Sequence, residues 1–164
     1  MLYYDIAKTE GCEHKSAKAL VISMLKRHLN ISKDRYTVMH RENGAPYLYD
    51  NDNKEEAVGI YISISHSKDL CAAAISDKPT GIDIEVIRDL RGREKRIEAR
   101  FLEAFKDVHF ESDRFFKAWT LHEAYYKVFS KTAKTQTDLY KVDFSHFSHS
   151  YNGNEYLVCI CSVK

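Results

Sequence analysis

Gly81-Ile82-Asp83-Ile84-Glu85 divides this chain into two passes of helix and strands. Apolar and acidic residues alternate in it, so on a strand Ile82 and Ile84 share one face and both carboxylates project from the other. A little under forty residues later comes Trp119-Thr120-Leu121-His122-Glu123-Ala124-Tyr125-Tyr126-Lys127. On a helix, Glu123 and Lys127, spaced i, i+4, line up one above the other. Three carboxylates and one ammonium meeting at one place would hold a hard divalent cation and a phosphate together, which is a phosphoryl-transfer site in outline. Each piece alone has an ordinary explanation. Asp-x-Glu is common on a solvent-facing edge, and Glu123 with Lys127 would make a helix-surface pair worth a few tenths of a kcal/mol.

On the N-terminal side, residues 14–29 place Ala17, Leu20, Val21, Met24, Leu25 and His28 at steps of three and four, which predicts an amphipathic helix. Its other face carries Lys15, Lys18, Lys26 and Arg27. Residues 41–48 contain Asn43-Gly44 and Pro46 and read as a turn into a short extended piece. Strands are expected at 60–64 and 70–76, flanking a corner at Ser65-His66-Ser67. Pro79-Thr80-Gly81 then breaks the pattern before an apolar strand at 82–87.

On the C-terminal side, residues 88–100 carry charges of both signs and resemble a solvated helix start, with Ile97, Phe101, Leu102 and Phe105 turned inward. Ser112 suits the N-cap of the next helix, whose buried side would hold Phe115, Phe116, Trp119 and Ala124. Strands at 140–144 and 156–163 are separated by a hairpin signal at Asn152-Gly153-Asn154. Ser65-His66-Ser67 and Ser148-His149-Ser150 each precede an apolar strand, a faint internal echo. The expected architecture is α+β, two related halves at 1–80 and 81–164 in one compact unit with a ligand cleft between them.

The chain has 164 residues, 44% hydrophobic and 12% aromatic, enough for one ordinary domain or two small halves sharing a core. Its start, Met1-Leu2-Tyr3-Tyr4-Asp5-Ile6-Ala7-Lys8, has charges where a signal peptide needs an apolar stretch. No apolar run approaches the roughly 20 residues of a membrane span, so no membrane association and a cytoplasmic location are expected. Cys12, Cys71, Cys159 and Cys161 lack zinc-site spacing and read as small buried hydrophobes. A formal net charge of +1 argues against nucleic-acid binding.

Four motifs stand in order: Glu42-Asn43-Gly44-Ala45-Pro46-Tyr47-Leu48, Ile62-Ser63-Ile64-Ser65-His66-Ser67, Gly81-Ile82-Asp83-Ile84-Glu85, and Trp119 through Lys127. Over about residues 41–130 the chain resembles the 4′-phosphopantetheinyl transferases of the Sfp type. Those show Gly-Lys-Pro, Ser-His-Ser, Gly-x-Asp-x-Glu and Trp-x-x-Lys-Glu-Ala-x-x-x-Lys in the same sequence. The resemblance implies two α/β halves related by a pseudo-twofold axis, with the active site at their interface. It implies a holo-acyl-carrier-protein synthase activity, moving the phosphopantetheine arm of coenzyme A onto a serine of an acyl or peptidyl carrier protein and leaving adenosine 3′,5′-bisphosphate.

Carried over by residue, the resemblance has Asp83, Glu85 and Glu123 hold Mg²⁺ on the diphosphate, with Lys127 contacting phosphate. Glu123, or a water on the metal, would take the proton of the carrier serine. Ser65 and His66 would contact the 3′-phosphate of coenzyme A, which is the co-substrate. Lys26, Lys33 and Arg35 are further basic candidates for a phosphate, and Trp119 reads as core packing.

Two positions depart from the pattern. Ala45 stands where the family has the Lys of Gly-Lys-Pro, removing one cationic contact. His122 replaces the Lys before Glu-Ala, which predicts greater sensitivity of activity to mild acid or alkali. The chain is short for the Sfp type but longer than the trimeric single-half type, and its two passes imply a monomer. Arg88, Arg91, Arg93, Lys95, Arg96 and Arg100 form a candidate docking surface for an acidic carrier protein. The alternatives are a coenzyme A or nucleotide-binding module that has lost transfer activity, and a plain interaction domain.

Overall fold

In the computed structural model, residues 1–99, 102–105 and 113–164 are described. The chain is α+β and begins with strand β1 (Leu2–Lys8) and helix α1 (Glu13–Leu29). Ala17, Leu20, Val21, Met24 and Leu25 form the buried stripe of α1, as their spacing requires. Glu13 in its first turn and Lys26, Arg27 and His28 in its last oppose the helix dipole favourably. Asn30, left-handed at φ 53°, ends it by turning its N–H back to the Leu25 carbonyl. His28 was expected inside and is exposed, its ring stacked on Tyr3 with centroids 4.5 Å apart.

Strands β2 (Tyr36–His40), β3 (Pro46–Asp50) and β4 (Glu55–Glu56) form a small antiparallel sheet, of which the sequence showed the turn after residue 41 and the short extended piece that becomes β3. Next come β5 (Tyr61–Ser67), β6 (Leu70–Ser76) and β7 (Thr80–Val86). Ser65-His66-Ser67 is therefore no corner. It is the end of β5, paired with Ala72, Cys71 and Leu70, and the turn falls at Lys68-Asp69. The reason is lateral: Ser63, Ser65 and Ser67 are the polar half of a period-two strand and find their partners on β7.

Past β7 the helix expected at 88–100 shrinks to α2 (Glu94–Glu98), because Arg91 (φ 53°) and Gly92 (φ 78°) keep the preceding residues in a loop. Arg100, Phe101 and Ser112, and the side chains of Ile97 and Leu102, lie outside the described residues. Phe105, in α3 (Leu102–Phe105), is buried. Helix α4 (Arg114–Phe129) buries Ala118, Leu121, Ala124 and Tyr125, while Phe115, Phe116 and Trp119 are half-buried at its margin. The short α5 (Gln136–Leu139) carries a capping box between Thr135 and Asp138.

Strands β8 (Val142–Tyr151) and β9 (Asn154–Val163) close the chain, joined by Asn152 and Gly153, both at positive φ. That two-residue loop matches the right-handed twist of the strands it joins. β8 is longer than the expected 140–144 because it is a sheet edge rich in exposed polar residues, whose apolar signal is weak.

The two larger sheets share one connectivity. One has the order β1-β6-β5 and the other β7-β9-β8, each with its first strand at an edge, its last in the centre and a long helix after its first strand. The echoed Ser-His-Ser tripeptides lie on the corresponding strands β5 and β8. Helix α1 covers Cys71, Ala73 and Ile75, and α4 covers Cys159 and Cys161. Leu70, Ala72 and Ala74 pack against Ile82, Ile84, Val86, Tyr156, Val158 and Ile160 to form a third apolar cluster. Three cysteines are thus buried as expected, whereas Cys12 is exposed. Among the described residues no helix is long and apolar enough to cross a membrane.

Candidate active site

Between β5 and β7 the joint is made by hydroxyls. Ser63 Oγ accepts from the Ile82 N–H at 3.0 Å, and Ser67 Oγ accepts from the Val86 N–H at 3.1 Å. Ser65 Oγ donates to Asp83 Oδ1 at 2.8 Å, and Ser67 Oγ donates to Glu85 Oε2 at 3.1 Å. These bonds satisfy the edge of β7 and hold its two carboxylates against β5.

From the other side β7 is met by α4, and Gly81 sets how closely. A Cβ there would stand 2.0 Å from the Ala124 carbonyl oxygen and 3.2 Å from Val128 Cγ2, so only glycine admits the helix. At that approach Lys127 Nζ donates to Asp83 Oδ1 and to the Ile82 carbonyl, each at 2.8 Å. Glu123, one turn earlier, lines a cleft of about 510 Å³ together with Lys127, Ser65, His66 and the Ala45-Pro46 turn. Residues from four separated stretches of sequence are thereby brought to one wall. The cleft is also lined by His14, His40 and Tyr126, which no sequence pattern singled out.

Electrostatics mark the carboxylate pair as crowded. Asp83 is buried, and its Oδ2 has no hydrogen-bond partner among the described residues. Burial, and then the charge of Asp83, push the Glu85 carboxyl up to about 7, against the weaker opposing pulls of Ser67, Arg88 and Lys127. A polar oxygen left bare inside a protein costs free energy, and two adjacent anions facing one lysine are under-neutralised. Among the described residues, however, no three His, Cys, Asp or Glu side chains are grouped as a metal cage would require. Asp83 and Glu85 are hard oxygen donors of the kind Mg²⁺ takes, an ion that keeps water and substrate oxygens in its shell, and the bare Asp83 Oδ2 is an atom such an ion would satisfy; Glu123, expected as the third donor, is not grouped with them.

The remaining sequence candidates are placed as follows. His66 Nδ1 lies 2.9 Å from a Glu13 carboxylate oxygen, and its ring meets His14 edge-on at 5.5 Å. His122 is buried, with its ring edge-on to Phe105 at 6.4 Å, and is not among the cleft-lining residues. Arg35 is bound to Asp50 and Asp52, and neither it, Lys26 nor Lys33 lines the cleft. Trp119 packs at the margin of the α4 cluster.

No family model matches the chain. It is similar to the 4′-phosphopantetheinyl transferase gsp of Aneurinibacillus migulanus, 30% identical over 119 residues. That alignment covers 68% of this chain and 46% of the relative, so the chain spans about half the length of the curated protein it matches. The likeness to a phosphopantetheinyl transferase thus extends over about two thirds of this chain.

Asp83→Asn is expected to lower stability by about 2 kcal/mol, discounted from the 3–5 kcal/mol of a fully buried pair because Lys127 is partly exposed. Adding Lys127→Met should recover much of that loss, since the penalty is the uncompensated ammonium. Urea midpoints of the two variants check this; a double variant less stable than Asp83→Asn would refute it.

Proposed function

We propose that the chain transfers the 4′-phosphopantetheine arm of coenzyme A to a serine of an apo acyl or peptidyl carrier protein, in the manner of the Sfp type. The observation that carries the reading is the Ser65–Asp83–Lys127 contact set, whose Ser65 and Lys127 line the same cleft as Glu123, in a chain similar to a phosphopantetheinyl transferase. The matching connectivity of the two sheets supports two pseudo-twofold halves, 1–80 and 81–164, acting together as a monomer.

In the proposed reaction the carrier serine oxygen attacks the phosphorus bearing the pantetheine arm, and the bond from that phosphorus to the adenosine 3′,5′-bisphosphate oxygen breaks. Glu123, in the cleft, accepts the serine proton. Lys127, already held by Asp83 and the Ile82 carbonyl, offers its charge to the departing bisphosphate. His66 faces the 3′-phosphate, while the Ser65 hydroxyl is engaged with Asp83 and keeps that carboxylate in place. Asp83, Glu85 and Glu123 are the residues that would hold Mg²⁺. The ion would neutralise charge building on the diphosphate.

Incubation with coenzyme A, Mg²⁺ and an unmodified carrier protein, followed by weighing the carrier, tests the proposal. A gain of one phosphopantetheine arm is expected. Ala45, a neutral side chain on the cleft wall, favours a second reading as a transfer-inactive coenzyme A-binding module, which predicts binding without mass gain. Binding of neither would leave an interaction domain.

Arg91 and Arg93 are exposed in the loop that directly follows β7. Reversing both to Glu should raise the KM for carrier severalfold and leave that for coenzyme A unchanged. Equal effects on both substrates would remove the docking role.

A further inference from the structure

Three histidines from three elements line one end of the cleft: His14 from α1, His40 from β2 and His66 from β5. They form a cluster. His14 and His66 meet at 5.5 Å between centroids. His40 is held below its ordinary value by burial and then by the nearby charges of Lys18 and His14, which places all of these groups within electrostatic reach of one another. Glu13 supplies the local anion, 2.9 Å from His66. Across the cleft α4 contributes Glu123, Tyr126 and Lys127, and the last of these is already paired with Asp83.

Permanent positive charge near this end comes from Lys18, whose charge acts on His40, while Ala45 contributes none and Lys127 is engaged by Asp83. Further positive potential must come from the imidazoles, side chains that change charge between about pH 5 and 8.

We propose that His14, His40 and His66 together form a proton-coupled seat for a phosphomonoester, so that a ligand's terminal phosphate binds this cleft with net uptake of protons. The inference rests on the nucleotide reading above, in which the 3′-phosphate of coenzyme A is that group, and it adds two residues and a regulation to it. A dianion among the three rings favours their charged forms, and ligand affinity must fall as rising pH strips those protons away. Glu13 opposes the dianion and competes for His66, so part of the binding response is release of that pairing.

The test compares adenosine 3′,5′-bisphosphate with adenosine 5′-phosphate by calorimetry from pH 6.5 to 8.5, in two buffers of different ionisation enthalpy. For the bisphosphate, the buffer dependence should report uptake of about one proton near pH 7.5. Its Kd should weaken by up to about tenfold per pH unit for each proton coupled. The compound without the 3′-phosphate should show a much flatter profile. His14→Asn with His40→Asn, both exposed positions, should flatten the bisphosphate profile, and His40→Lys should restore tight binding at pH 8.5. Absence of proton uptake, an unchanged slope in the double variant, or no bisphosphate binding at any pH overturns the proposal. Proton-coupled binding without carrier modification would refute the transferase reading and leave this seat standing; modification with pH-flat binding would do the reverse.

Discussion

Gly81→Ala is expected to destabilise the protein by about 3 kcal/mol or more and to reduce the proposed transfer by about a hundredfold. The added methyl would lie 2.0 Å from the carbonyl oxygen of Ala124 and 2.9 Å from its carbonyl carbon, atoms of a helix backbone that cannot rotate aside. The only relief is to lift α4 away from β7, which carries Glu123 and Lys127 off Asp83 and opens the packing of Ala124 and Tyr125. Because the obstruction is main chain, trimming the side chain beneath does not help: Gly81→Ala with Val128→Ala removes the 3.2 Å contact and should remain as unstable as the single variant, or more so. Urea unfolding of both variants decides it. A Gly81→Ala protein within about 1 kcal/mol of wild type would show that α4 yields without cost, and with that the argument that this glycine sets the site would fail.

That glycine was visible in the sequence as part of Gly-x-Asp-x-Glu, but its physical role was not, since what a missing Cβ admits depends on a helix more than forty residues away. The same limit explains the rest. α1 was legible because one face of it is buried and apolar, and β6, β7 and β9 because they are nearly continuous buried runs. β2, β4 and the outer half of β8 were not, because they are short or edge strands dominated by polar residues. Ser65-His66-Ser67 looked like a corner because polar residues at a strand end usually mark one; here β7 supplies their hydrogen bonds laterally. In the site, the spacing singled out Asp83, Glu85, Glu123 and Lys127, of which the structure joins Lys127 to Asp83 and places Glu123 beside Lys127 in the cleft. His14 and His40 were not: each is an ordinary surface residue of its own element, and only the packing of α1, β2 and β5 around the cleft puts them with His66. His122, read only as a replacement for the family's Lys, is placed by the turn of the helix among buried residues.

Glu85→Gln should make the ligand-free protein more stable at pH 8 and leave it nearly unchanged at pH 4.5. In the unfolded chain this carboxyl ionises at its ordinary 4.5, whereas in the folded protein burial and the neighbouring Asp83 charge hold it up to about 7. Between those values the unfolded state gives up a proton that the folded state keeps. Stability contributed by this group is thus complete below pH 4.5, declines as pH rises through 7, and is gone above it. The span corresponds to at most about 3 kcal/mol. A glutamine has the shape of the protonated acid, retains an acceptor for the Ser67 hydroxyl, and has nothing to ionise, so its stability profile should lack that decline. If Asp83, Glu85 and Glu123 hold Mg²⁺ as proposed, millimolar Mg²⁺ should reverse the order at pH 8, because a divalent cation rewards the ionised carboxylate and has less to gain from the amide. Thermal unfolding of both proteins at pH 4.5 and 8, with and without Mg²⁺, measures each step. A wild type and variant whose stabilities fall in parallel with pH would show that Glu85 ionises freely in the fold. Stabilisation of both by Mg²⁺ to the same extent would place the ion elsewhere than on this pair.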